Sequence, residues 1–316
     1  MTAGPTTGKS TPGNEAILAR VEALLREGEL RVPKRDPSGR SDELVPVKDV
    51  AKLIALAIQE ARKRGDREAC GRWATLGLRY VQALSNSQGV VIDGLVHIAS
   101  DAIITRAIYL AEINGGFDAR GRAALLSLLQ PGDGSSPKMA DAVRRDFQTY
   151  WMPMLLNPTG HKADLAMNGF YEPDMDEAQE AEYKRKFAGT FDPLETAKLG
   201  GEVYSAMISD LRRPLRQAKH AEKPIIEKAE EGLPSMSYGG PEEYWYRIRM
   251  NLGRNTLGRQ LLVYGVMETL GESAARTTAT RNIVRAVILL RAGQRPNLPD
   301  PFRTGSLRFD TKRKIV

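Results

Sequence analysis

One predicted helix carries three polar residues at intervals of four positions, Asp93, His97 and Asp101. This spacing suits a general base or a metal site. Positions four apart lie on one face of a helix. An imidazole held between two carboxylates would have its charged form stabilised, and such a group can act as a general base or supply metal ligands. A zinc site needs three or four ligands, and the other histidines, His161 and His220, are isolated in the sequence. We therefore predict a polar seam on a core helix and no bound metal, with a metal site at these three residues as the alternative.

Other chemical motifs match only in part. The segment AGPTTGKS, from Ala3 to Ser10, fits a relaxed phosphate-binding loop, but that loop needs a strand before it and only two residues precede it. The acidic run from Glu172 to Glu182 lacks the glycine of a calcium-binding loop. Cys70 has no histidine nearby and is interpreted as a small core residue. Because no dinucleotide, hydrolase or metalloprotease motif occurs, we predict a protein that is not an enzyme and needs no cofactor.

An aromatic cluster lies beside two arginines in the second half of the chain. Rings next to cations are typical of sites that stack single-stranded nucleic acid, and rings also line grooves that bind a ligand or a peptide. Plain packing explains the same residues. A ligand groove is therefore one of three interpretations of Tyr238, Tyr244, Trp245 and Tyr246, which are followed by Arg247 and Arg249.

The basic character of the chain is concentrated at its C-terminal end. Residues 276–316 hold ten Lys and Arg against two acids, whereas the whole chain has 46 basic and 39 acidic residues, so residues 1–275 carry a net charge of only −1. A basic helix followed by a basic arm can attract an acidic protein, an anionic lipid or nucleic acid. The alternative is an arginine face that pairs with acids of neighbouring helices. The predicted partner-binding residues are Arg281, Arg285, Arg291, Arg303, Lys312, Arg313 and Lys314.

A succession of predicted helices must position these residues. Apolar residues recur every three or four positions from Val47 to Ala61, which indicates a helix with one buried stripe, and Gly65 ends it. The helix at about 89–113 is apolar nearly all round, so we expect it at the centre of the core. Further helices are predicted at about 66–84, 118–129, 138–151, 173–187, 193–220, 241–270 and 272–291.

These elements predict an all-α fold, either an irregular multi-helix bundle or a helical-repeat-like array without a repeat of fixed length. The turn-rich loop PGDGSSP, at residues 131–137, is the predicted domain boundary. From Gly293 onward, prolines and then Leu307 and Phe309 alternating with Arg308 predict a short β-like arm or hairpin. We divide the chain into a flexible tail (1–13), two helical regions (14–130 and 138–292) and a basic arm (293–316).

The C-terminal region also resembles a known group of sequences. NLGRNTLGRQLL (251–262), RAVILLRAG (285–293) and LPDPFRTGSLRF (298–309) are similar to the C-terminal region of uncharacterised helical proteins of planctomycetes and myxobacteria, in which a DPF, glycine and Leu-Arg-aromatic segment resembles the β-region of type II secretion pseudopilins. Similarity over 69–129 is weaker. Two departures are a shorter link before Asp300 and the position of Gly305, one place later than the pattern. The resemblance implies a cell-envelope protein, typically anchored through an N-terminal segment, and it offers no catalytic residues.

Composition is that of a globular protein without a bilayer span. Apolar residues make up 41% of the chain and charged residues 27%. No run of about 18 apolar residues occurs, the first residues lack the apolar core of a signal peptide, and one cysteine cannot form an internal disulfide. We expect a cell-envelope or periplasmic location, with the cytoplasm as the alternative.

The leading hypothesis is a non-enzymatic helical envelope protein, a structural or assembly component that binds a protein or peptide partner through its basic C-terminal region. An acidic partner suits that region, and a membrane surface is a further candidate. The alternatives are an all-α metalloenzyme or metal-binding protein that uses Asp93, His97 and Asp101, and a nucleic-acid-binding protein.

Overall fold

The chain is mainly helical in the part that its structure, a computed structural model, describes. That part comprises residues 12–28, 30, 45–86, 89–156, 176–178, 181, 192–231 and 270–308. Its helices are α1 (Pro12–Glu27), α2 (Val45–Lys63), α3 (Arg67–Asn86), α4 (Val91–Ile113), α5 (Ala119–Leu128), α6 (Pro137–Asp146), α7 (Met152–Leu156), α8 (Pro193–Leu211), α9 (Glu222–Glu230) and α10 (Leu270–Arg291). The prediction of an all-α fold is confirmed.

The described residues fall into two compact units. The first contains the chain up to Ala142, the segment Leu211–Ala218 and the chain from Gly271 onward; the second contains Val143–Asp210 and Lys219–Leu270. Both units are therefore built from separate stretches of sequence. The loop at residues 131–137, where the sequence predicts a domain boundary, lies within the first unit.

The core of the first unit is formed mainly by α2, α3 and α4, which pack on one another. The predicted stripe of α2 is the buried one, with Ile54 and Ile58 fully inaccessible. Close packing of α3 on α4 depends on Gly77, because a Cβ atom there would lie 2.8 Å from Cγ2 of Ile104. Any larger residue would therefore push the two helices apart.

Helix α4 is buried mainly along its C-terminal half. Ile104, Ile108 and Ala111 are inaccessible or nearly so, whereas Ile92 near the start of the helix and Ile113 at its last position are more than a third exposed. The expectation of a helix at the centre of the core therefore holds for the second half of α4. That half also buries two carboxylates, Asp101 and Glu112.

In the second unit, a stacked aromatic pair is part of the buried interior. The rings of Phe147 and Tyr204 lie 4.4 Å apart between centroids, and burial raises the pKa of Tyr204 well above its usual range. Phe147 begins a π-helical turn, Phe147–Trp151, between α6 and α7. Val203 and Ile226 are also buried in this unit.

The structure corrects the predicted helices near residue 215. The helix predicted at 193–220 ends at Leu211, because Pro214 has no N–H to continue it and restricts the residue before it. A helix then begins at Glu222, between the predicted helices at 193–220 and 241–270, where no helix was predicted from the sequence. Pro224 lies in the first turn of α9, where backbone N–H groups have no helical partner, so the proline does not disturb it.

The C-terminal arm up to Arg308 is held by backbone hydrogen bonds. Pro299 and Ser306 form a single antiparallel bridge, and the N–H of Leu307 donates to the carbonyl of Leu298 at 2.8 Å. No strand forms in the described residues, and 309–316 lie outside them. The β-like arm therefore stays a prediction.

None of the helices in the described ranges is long and apolar enough to cross a membrane.

Candidate functional site

The polar seam predicted on α4 contains a buried acid, Asp101. The ionic partner of this acid is an arginine of α10. Asp101 is 1% exposed, and Nε of Arg281 lies 2.6 Å from its Oδ2 atom. Burial raises the pKa of Asp101, while the neighbouring Arg281 acts in the opposite direction. The pair joins α4 to α10 inside the first unit.

His97 lies among cations, which corrects the sequence-based expectation of an imidazole between two carboxylates. Burial, together with the positive charges of Arg281 and Lys138, lowers the pKa of His97 from 6.5 to about 4. Its Nε2 atom is buried without a hydrogen-bond partner among the described residues. The imidazole is therefore neutral at physiological pH and is not set up as a charged acid.

Asp93 has a separate role at the start of α4. Its Oδ2 atom accepts a hydrogen bond from the N–H of Val90 at 3.0 Å. Within the described ranges, Asp93, His97 and Asp101 do not form a group whose ligand atoms could share a metal ion. Helical spacing aligned the three residues, but Asp93 accepts a hydrogen bond at the start of α4 whereas Asp101 pairs with Arg281 of α10.

A second buried ion pair links α4 to α5. Glu112 is fully buried, and Oε1 accepts from Nε of Arg122 at 2.7 Å. Burial raises the pKa of Glu112, and Arg122 opposes the rise. Neither residue was singled out from the sequence. The available signal was an acid within the apolar second half of α4, since a buried acid needs a partner.

The arginines of α10 are mostly engaged inside the chain. Arg285 donates from one terminal nitrogen to the carbonyls of Leu126 and Leu129, at 2.5 and 2.6 Å. Arg291 donates to the carbonyl of Ile113 at 2.8 Å. These acceptors lie at the C-terminal ends of α5 and α4, where carbonyls lack helical partners and positive charge is favoured. Arg281, Arg285 and Arg291 thus attach α10 to α4 and α5.

The arginines of the arm are arranged differently. Arg295, Arg303 and Arg308 are exposed, and no hydrogen bond or ion pair joins them to other described residues. Phe302, next to Arg303, is 41% exposed. Among the predicted partner-binding residues that the structure describes, Arg291 and Arg303 are exposed, and Arg303 is the one without a hydrogen bond or ion pair to another described residue. Lys312, Arg313 and Lys314 lie outside the described residues, as does the predicted aromatic groove of Tyr238, Tyr244, Trp245 and Tyr246.

The arm keeps a fixed position because of Asn282. This residue is fully buried on α10, and its Nδ2 donates to the carbonyls of Pro299 and Gly132 at 2.9 and 2.7 Å. Arg216 also donates to the carbonyl of Asp300 at 2.9 Å. The first part of the arm is thereby tied to α10 and to the loop at 131–137. Its exposed arginines project from a structured base.

A groove among α1, α3 and α5 was not anticipated from the sequence. Its volume is about 660 Å³, and its ionisable lining residues are Arg26, Arg67, Arg72, Arg79 and Arg120 together with Glu22, Asp66, Glu68 and Asp118. Five cations against four carboxylates leave little net charge, so an anion gains no strong electrostatic preference there.

Cys70 is a core residue, as the sequence suggests. Its side chain is inaccessible, and burial raises the pKa of the thiol to about 11. A thiolate is the nucleophilic form of cysteine, so this side chain is unreactive in the folded state.

Three other residues come together unexpectedly. Asp210, at the end of α8, lies close to His220 and Glu222, with one ligand atom from each within 4.8 Å of the others. His220 is isolated in the sequence, and the predicted helix at 193–220 separates it from Asp210 along the helix axis. The observed helix ends at Leu211, and the turn that follows brings His220 back to Asp210.

Comparisons with family models, with curated proteins and with solved structures find no match. The resemblance of residues 251–316 to bacterial envelope proteins therefore stays a prediction.

Proposed function

We propose that the protein is a non-enzymatic helical protein that binds an acidic segment of a partner protein through its basic C-terminal arm. The observation that carries this proposal is the separation of the basic residues into two sets. Arg281, Arg285 and Arg291 attach α10 to the core, whereas Arg295, Arg303 and Arg308 are exposed on the arm.

Charge on the arm favours an acidic partner. Residues 293–316 contain six basic residues against Asp300 and Asp310. Oδ1 of Asp300 accepts a hydrogen bond from the N–H of Phe302 at 2.9 Å, which fixes this carboxylate within the turn of the arm. Arginine can bind a carboxylate through two parallel hydrogen bonds, and half-exposed Phe302 adds an apolar contact beside Arg303.

A structured base makes the arm a better binding surface than a free tail. The buried Asn282 holds Pro299, and bridge hydrogen bonds hold Leu298 and Leu307. A surface that is ordered before binding loses less conformational entropy when the partner docks. Electrostatic attraction would mainly accelerate association and would weaken as salt rises.

The cell envelope is the location that we propose, and its support is the sequence resemblance alone. Fractionation of cells that produce the native gene product, followed by immunodetection in the envelope and soluble fractions, tests it. Recovery of the protein only with cytoplasmic markers would contradict this location.

A pull-down at low salt tests the binding proposal. The immobilised full chain is compared with the variant Arg295→Glu, Arg303→Glu, Arg308→Glu and with a control, Arg106→Glu, which changes an exposed arginine of α4. We expect the wild type and the control to retain the same protein partner and the arm variant to lose it. A further variant with Lys312, Arg313 and Lys314 changed to Glu should weaken retention as well.

Two results would count against the proposal. Equal retention by the arm variant and the control would show that the arm is not the binding surface. Loss of retained material after nuclease treatment would favour nucleic acid, whose binding also falls steeply with salt. Equal thermal unfolding of all variants verifies that the exposed substitutions leave the fold intact.

A further inference from the structure

The turn that connects α8 to α9 brings a histidine back to an aspartate. Asp210 is one residue before the end of α8, and its two carboxylate oxygens accept hydrogen bonds from the N–H groups of Lys219 and His220, at 3.0 and 2.6 Å. His220 has a φ angle of 50°, a left-handed conformation that few residues other than glycine adopt. Backbone geometry thus holds the histidine beside the aspartate.

Glu222 completes the group from the first position of α9. Glu222 is only 6% exposed, and its Oε1 atom lies 3.4 Å from Nδ1 of His220. The other oxygen, Oε2, is buried and has no hydrogen-bond partner among the residues that the structure describes. A buried carboxylate oxygen without a partner costs free energy, and a bound cation would remove that cost.

An ion pair between His220 and Glu222 explains only part of this arrangement. It needs a protonated imidazole, and it occupies one of the two oxygens of Glu222. A cation shared by all three side chains accounts both for the convergence of the two carboxylates and for the buried Oε2 of Glu222, which has no hydrogen-bond partner among the described residues.

We propose that Asp210, His220 and Glu222 bind one divalent transition-metal ion, with Zn²⁺ as the expected ion. One imidazole nitrogen and two carboxylate oxygens form a donor set that zinc accepts, whereas magnesium and calcium prefer oxygen donors alone. Three protein ligands leave room for a water molecule in the fourth position of a tetrahedral site.

The geometry requires a small adjustment. The three ligand atoms lie within 4.8 Å of one another, whereas zinc bonds of about 2.0–2.1 Å bring tetrahedral ligands to roughly 3.3 Å apart. The side chain of His220 is 48% exposed, so it can rotate toward the two carboxylates without disturbing the core. Glu222 is held by burial, so the histidine is the ligand that moves.

The experiment uses the untagged full chain after EDTA has removed bound metal. Zn²⁺ is titrated into this protein, and isothermal titration calorimetry measures the affinity and the number of ions bound. We expect one Zn²⁺ per chain. Glu222→Gln keeps the size of the side chain and removes its charge, and His220→Asn removes the imidazole with a residue that tolerates a positive φ. Each substitution should weaken the affinity at least about 10-fold, in line with the loss of a metal ligand. The matched control, Glu227→Gln, changes an exposed residue of the same helix and should leave the affinity unchanged.

Thermal unfolding in EDTA and in zinc keeps the test decisive if a variant folds poorly. Zinc should raise the unfolding temperature of the wild type and of Glu227→Gln but not that of His220→Asn, because only a folded site binds the ion. No stoichiometric zinc on the wild type would overturn the proposal. Equal affinity in Glu222→Gln, His220→Asn and the control would overturn it too. Neither outcome bears on the basic arm, whose variants leave these three residues intact.

Discussion

Arg281 on α10 places its Nε atom 2.6 Å from Oδ2 of Asp101 on α4, and Asp101 is 1% exposed. A basic residue that the sequence suggests as a partner contact therefore neutralises a buried acid of its own chain. Arg285 and Arg291 extend the same attachment along α10 to the C-terminal ends of α5 and α4. Part of the basic C-terminal region thus contributes to folding, and the exposed arm is left for association.

Loss of Arg281 should destabilise the first unit strongly. In Arg281→Met, Asp101 becomes a buried acid without its cation, and we expect the free energy of unfolding to fall by about 3–5 kcal/mol. Arg276→Met is the control on the same helix, because its pair with Glu272 is exposed and contributes at most about 1 kcal/mol. Urea unfolding measures both. The double variant Asp101→Asn, Arg281→Met should lose less free energy of unfolding than the two single variants lose together. Additive losses would mean that the two residues do not interact.

Protonation of His97 should reduce stability in acid. Its pKa is about 4 in the folded protein against 6.5 for a solvated histidine, so the unfolded chain binds a proton between these pH values and the folded chain does not. Stability from this group is present above pH 6.5 and is lost as the pH falls toward 4, at up to about 1.4 kcal/mol per pH unit. Urea unfolding at several pH values should show a shallower fall for His97→Gln. Parallel curves for the variant and the wild type would contradict a neutral buried imidazole.

Close packing of α3 on α4 should make Gly77 intolerant of a methyl group. In Gly77→Ala, the added Cβ would lie 2.8 Å from Cγ2 of Ile104, and we expect a loss of about 1–3 kcal/mol in the free energy of unfolding. Gly201→Ala is the matched change within α8, where nothing lies within 4 Å of the new atom. There the better helix propensity of alanine should stabilise the protein by about 0.5–1 kcal/mol. Similar effects of both changes would mean that α3 and α4 are not closely packed at Gly77.

Arg285 and Arg303 should differ in their effect on stability. Arg285→Met removes the donors to the carbonyls of Leu126 and Leu129, and charged hydrogen bonds of this kind contribute roughly 1.5–3 kcal/mol. Arg303→Met changes an exposed residue of the arm and should alter the free energy of unfolding by no more than about 0.5 kcal/mol. Thermal and urea unfolding compare the two. A larger loss for Arg303→Met than for Arg285→Met would reverse the assignment of the two arginine sets.

Local sequence signals predicted most of the helices. The buried stripe of α2 follows from its apolar spacing, and the left-handed Gly65, with a φ angle of 72°, follows that helix as predicted. The same local reasoning was wrong between Leu211 and Glu222. The predicted helix continued past Pro214 to residue 220, and no helix was predicted around Pro224. A proline ends a helix in its interior but is accepted in the first turn, so its position within the turn decides the outcome.

What the sequence by itself determined is the all-α class, because apolar periodicity and helix-ending residues act within a few neighbouring positions. Only the tertiary structure decided which charges meet. Spacing along α4 suggested a group of Asp93, His97 and Asp101. In the packed protein, Asp101 forms an ion pair with Arg281, and His97 lies near Lys138 and the same arginine. The turn after α8 brought His220 to Asp210. Electrostatic interactions act through space, so they depend on how the helices pack rather than on the order of residues in the chain.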